Sequence, residues 1–97
     1  MKSNSQKKQN HAQKLYQAVA CLEDTAEAKK FLNDLCTPAE LQAMVDRWLV
    51  VKLLRQEKPY REIYALTGVS VTTIGRVARS LEMGEGGYRL MADRLGL

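Results

Sequence analysis

Apolar residues recur along this chain at helical spacing, and polar or glycine-rich breaks divide them into about six stretches. Leu15, Val19 and Leu22 predict a first helix over residues 11–22. Asp24 followed by Glu27 has the form of a capping box, and Ala28, Phe31, Leu32 and Leu35 make the stripe of a second helix. The third start is the clearest, with Thr37 as N-cap, Pro38 at the first helical position and Glu40 reaching back. This helix should run to about Glu57, with Pro59 opening the next element. Residues 60–82, YREIYALTGVSVTTIGRVARSLE, then read as two short helices around a glycine turn. Gly84, Gly86 and Gly87 mark a turn or hinge, after which Tyr88, Met91 and Leu95 line one side of a last helix over residues 88–95. Residues 1–10 lack apolar anchors and are expected to form a disordered, lysine-rich arm; residues 11–97 are expected to form a single domain.

The two helices of residues 60–82 have the outline of a helix-turn-helix. Gly68 stands where the first must stop, since glycine enters a left-handed C-cap at little steric cost, and Ser70 is a natural N-cap for the second. On a helical wheel Val71, Ile74, Val77, Ala78 and Leu81 fall within an arc of about 120°. Thr72, Gly75, Arg76 and Arg79 occupy much of the other side. An apolar face for packing and a small, hydroxylated, cationic face for a groove is what a DNA recognition helix needs. Any surface helix of a small helical domain also has two such faces, so the weight comes from spacing. Ile63 lies five residues before Gly68, and Ile74 and Val77 lie six and nine after it, the usual apolar frame of the motif. Tyr64 departs from that frame, standing where a small residue often lets the helices approach.

The third helix carries apolar residues on too many sides. Leu41, Met44, Val45, Trp48, Leu49, Val50, Val51, Leu53 and Leu54 cover well over half of its circumference. Such a helix must be buried on several sides, and 97 residues offer only thin layers to cover it. A partner subunit is the economical cover, most commonly in a two-fold dimer; a central helix wrapped by the others in a monomer is the alternative. Trp48 belongs to this core either way.

Composition narrows the function. The chain is 45% hydrophobic with only one Trp, four Tyr and one Phe, which favours an all-α class. No apolar run approaches the roughly 18 residues of a membrane span. The polar N-terminus shows no signal peptide, so the chain is expected in the cytoplasm. Cys21 and Cys36 are too few for a disulfide framework and lack metal spacing, and His11 is isolated, so neither a metal site nor enzymatic activity is expected. Net charge is +4, with Lys2, Lys7, Lys8 and Lys14 unopposed in residues 1–20, and four bases against Glu62 and Glu82 in residues 58–82. That distribution suits a polyanionic partner, although solvated basic tails also occur in proteins that bind nothing.

Several of these residues together resemble the Trp repressor superfamily. The run Leu35-Cys36-Thr37-Pro38-Ala39-Glu40 resembles the family's leucine-threonine-proline-acid helix start, and Arg47, ten residues after Thr37, stands where the family carries an arginine. Arg61-Glu62-Ile63 with Leu66 and Gly68 resembles its first reading helix; Thr73-Ile74-Gly75-Arg76, then Ser80-Leu81, resembles its second. Arg47-Trp48, Tyr60-Arg61-Glu62-Ile63 and Gly84-Glu85-Gly86-Gly87-Tyr88 with Leu90, Asp93, Arg94, Leu95 and Gly96 are closer still to the small YerC/YecD-related branch. The resemblance implies an all-α, intertwined homodimer with two helix-turn-helix heads that regulates transcription, as a repressor, at a palindromic operator in double-stranded DNA.

Carried over residue by residue, the resemblance places Tyr60, Arg61, Tyr64, Val71, Thr72 and Gly75 against DNA, with Thr73 and Arg76 beside them. Lys58 and Arg79 are added here as phosphate contacts. Arg61 can pair with phosphate or read guanine, Thr72 can bond a base edge or phosphate, and Val71 can touch a thymine methyl. Arg47 and Arg76 match the two arginines that embrace the namesake's amino-acid corepressor, and Thr37 and Ser80 match other positions of that pocket. Tryptophan-binding members have a glycine where this chain has Val77, whose branched side chain points inward and intrudes on the space an indole would take. L-tryptophan is therefore not the expected ligand. A smaller effector at Arg47/Arg76 and a helical protein-interaction module are the alternatives to a ligand-independent regulator.

Overall fold

The computed structural model describes residues 3–97, which form six α-helices with no strand among them. The order is α1 (Asn4–Ala20), α2 (Thr25–Leu35), α3 (Pro38–Arg55), α4 (Tyr60–Thr67), α5 (Val71–Met83) and α6 (Gly87–Leu95). The helices group into two compact units, with the boundary between Thr37 and Pro38.

In the first unit α1 begins well before residue 11. Ser3 and Gln6 form a reciprocal capping box: the Ser3 hydroxyl accepts from the Gln6 N–H at 3.2 Å, and the Gln6 side chain accepts from the Ser3 N–H at 2.9 Å. The Gln and Lys residues that follow are good helix formers needing no apolar face. The arm expected over residues 1–10 is thus helical from Asn4, while Met1 and Lys2 lie outside the described residues. Asp24 caps α2 by accepting from the Glu27 N–H at 2.8 Å, but the Glu27 carboxylate returns to the N–H of Glu23 rather than that of Asp24. Neither helix carries a buried residue.

The second unit is built on α3, which packs against α4, α5 and α6, while α5 also touches α4 and α6. Val50, Val51 and Leu53 of α3, Ile63 of α4, Val69 of the turn, Ile74 and Val77 of α5 and Ala92 of α6 form the core, with no polar side chain buried among the described residues. Trp48, Leu54, Leu81, Tyr88 and Leu97 pack on its edge. The third helix is covered on only part of its apolar surface: Met44, Val45 and Leu49 stay exposed, Val45 at 50%. It ends in a Schellman motif, with Glu57 N–H to Leu54 at 2.9 Å and Lys58 N–H to Leu53 at 3.2 Å, and this holds Glu57 at φ 61°. Arg55 ties α3 to the end of α6, donating to the Leu97 carbonyl at 2.9 Å and pairing with Asp93 at 2.6 Å.

Candidate nucleic-acid interface

The turn between α4 and α5 is held by local bonds that position the reading helix. Gly68 takes the left-handed conformation (φ 74°), and its N–H reaches the Tyr64 carbonyl at 2.8 Å. The Thr67 hydroxyl donates to the Ile63 carbonyl at 2.7 Å and accepts from the Val69 N–H at 3.0 Å, bridging the two sides of the turn. Ser70 caps α5 by accepting from the Thr73 N–H at 3.2 Å and donating to the Thr73 hydroxyl at 3.0 Å. Below the turn Ile63, Val69, Ile74 and Val77 are buried together, so both helices are anchored to α3 through one apolar seam. Small shifts in such close packing are opposed by every neighbour, which makes the pair a rigid head.

The outer side of this head carries most of the expected DNA contacts. Arg61, Thr72, Arg76 and Arg79 are exposed, and none of these arginines has an ion pair among the described residues. Tyr60 and Tyr64 are exposed as well; at 53% exposure Tyr64 turns outward, so its bulk does not separate the helices. Val71, counted in the apolar arc, is 55% exposed and lies outside the core. The Thr73 hydroxyl oxygen is occupied by the Ser70 cap. Lys58 is half-buried and paired with Glu62 at 3.4 Å, so part of its charge is already answered within the chain. Gly75 is half-buried, and a Cβ added there would meet no atom within 4 Å.

The expected effector residues are Thr37, Arg47, Arg76, Val77 and Ser80. Val77 is 2% exposed and part of the core, as the wheel indicates. Arg47 and Arg76 are exposed, and Thr37 closes the other unit. Ser80 alone of the set lines a cleft, of about 590 Å³, with Trp48, Gly84, Glu85, Gly87, Tyr88 and Met91. Trp48 and Tyr88 form its aromatic side, their ring centroids 6.3 Å apart and tilted by 34°. Trp48 is expected in the core and the glycines in a turn; the cleft arises where α3, α5 and α6 meet, which no local pattern signals. No group of three or more His, Cys, Asp or Glu capable of holding a metal occurs among the described residues, and no helix there is long and apolar enough to cross a membrane.

Comparison with known proteins places this head in a family. The sequence profile of the Trp repressor protein matches residues 10–95. The chain is 37% identical over 81 residues to "Uncharacterized protein YerC" of Bacillus subtilis (strain 168), covering 84% of this chain and 78% of that protein. Its fold superposes on the crystal structure of a TrpR-like protein from Eubacterium eligens ATCC 27750 with a TM-score of 0.87, at 39% identity over 97% of both chains. A candidate Trp repressor from Staphylococcus aureus gives 0.84 at 36% identity, over 90% of this chain and 87% of that one. Proteins of this family are transcription regulators, not enzymes. The chain belongs to the Trp repressor family, in its YerC-like branch.

Proposed function

We propose that this chain is a homodimeric repressor that binds a palindromic operator through α4 and α5. DNA-binding regulation is the family's function; the dimer, the operator and the repressing role are the reading advanced here. The observation that carries it is the rigid head with Arg61, Arg76 and Arg79 exposed and unpaired beside Tyr60, Tyr64, Val71 and Thr72. Arginines held out on a fixed scaffold are available to phosphate and to guanine edges without first breaking an internal pair. The exposed Val45 and Leu49 on α3 support a second copy as the cover for that face. Two heads related by a two-fold axis would enter successive major grooves about 34 Å apart.

Fluorescence anisotropy with labelled duplex DNA at low salt tests the reading. Salt-sensitive binding, weakened when Arg76 and Arg79 are both replaced by alanine, is the expected result. Absent binding, or binding indifferent to both replacements, overturns it and leaves the protein-interaction module.

The cleft beside Ser80 favours a second reading, in which a small effector other than tryptophan adjusts the head from between α3, α5 and α6. Val77 supports the exclusion of tryptophan, since its side chain fills the core from the recognition helix. Calorimetry against amino acids and small carboxylates, with thermal shift alongside, decides it: no heat and no shift would remove the effector.

A further inference from the structure

We infer that α5 meets DNA with its own backbone at Gly75, the missing side chain serving a sugar–phosphate edge of the duplex rather than the fold. This deepens, and rests on, the DNA-binding reading above. Glycine inside a helix destabilises it relative to alanine, so an interior glycine calls for a reason. Gly68, Gly86 and Gly96 have one in a positive φ, and Gly84 in the Ser80 carbonyl oxygen that a Cβ would meet, while Gly87 opens α6 rather than lying inside a helix. Gly75 has none. It sits in the middle of α5 without a positive φ, and a Cβ there would meet nothing within 4 Å. The chain would accept alanine and gain helix stability by it.

What surrounds Gly75 gives the reason outside the chain. Helical spacing puts Val71 and Thr72 one turn before it and Arg79 one turn after, all three exposed. With no side chain of its own between them, Gly75 is the floor of a shallow saddle on this face of the helix. One rim offers a methyl-bearing, hydroxylated pair and the other a guanidinium. A strand of the duplex seated in the saddle brings phosphate to Arg79 and lets Val71 and Thr72 reach into the groove. A methyl on the floor would lift the helix and stretch hydrogen bonds that weaken steeply with distance and angle.

The test uses the full chain and a duplex obtained by selection from a random library, with Gly75→Ala and Gly75→Leu compared with the parent. Gly75→Ala should melt higher than the parent and bind the selected duplex about tenfold or more weakly, as overpacking of a close contact does. Gly75→Leu should bind more weakly still. Because no charge is removed, the dependence of log affinity on log salt should keep the parent's slope, whereas Arg79→Ala should flatten it. Parental affinity in both Gly75 variants overturns this inference alone. A loss of dimer mass in Gly75→Ala also overturns it, assigning the open space to the partner subunit. If the parent selects no duplex, the DNA-binding reading fails and this inference with it.

Discussion

On the proposed reading, single residues decide how strongly the head binds DNA. Arg61 is exposed and unpaired, so its charge is fully available; Lys58 must first leave Glu62. If Arg61 contacts phosphate, Arg61→Ala should weaken all duplexes alike and lower the salt slope by about one, measured by anisotropy across a salt series. If it reads guanine, the loss should concentrate at one base pair, at about 1–3 kcal/mol. Unchanged affinity would remove Arg61 from the interface. Lys58→Ala should cost less than Arg61→Ala, since an exposed pair such as Lys58–Glu62 contributes only about 0–1 kcal/mol and leaves Lys58 partly engaged. Away from the interface, Glu57 is held at φ 61°, where a side chain is strained. Glu57→Gly should raise stability by about 1 kcal/mol, read from chemical denaturation; no gain would mean that the Glu57 side chain offsets the strain. Its conformation was not legible in the sequence, because glutamate is no turn signal and the bonds to Leu53 and Leu54 form only once α3 ends.

At the level of elements, the parts that could be read in advance are those settled within a few residues. Gly68 and Ser70 announce the turn by their own chemistry, and both act as expected. Ser70→Ala should therefore cost about 1 kcal/mol of stability, and Gly68→Ala about 1–2 kcal/mol, in thermal or denaturant unfolding. Losses near zero would mean that tertiary packing, not the caps, sets the turn. Other features escaped for identifiable reasons. The start of α1 lies in a polar stretch where the Ser3–Gln6 box replaces the apolar periodicity by which helices are recognised. The Thr67 bridge depends on a hydroxyl reaching back one turn and forward two residues at once, which its sequence context does not disclose. The cleft at Trp48, Ser80 and Tyr88 exists only because three helices converge, so no single helix foretold it.

For the whole molecule, the third helix is the deciding element. Its excess of apolar positions was evident from the wheel, and the structure separates them into Val50, Val51 and Leu53, which build the core, and Met44, Val45 and Leu49, which do not. The proposed second copy would cover the latter set. Leu49→Glu should then reduce the mass in solution from twice 11.0 kDa to a single chain, by light scattering, and lower operator affinity by separating the heads. An unchanged mass would remove Leu49 from the interface. The most direct test of the central claim is selection of bound sequences from a random duplex library by the purified chain at moderate salt. The account predicts an enriched palindrome whose half-sites lie about one helical turn apart. Enrichment of a single half-site, or none beyond salt-sensitive non-specific binding, would contradict a dimer reading DNA through two heads.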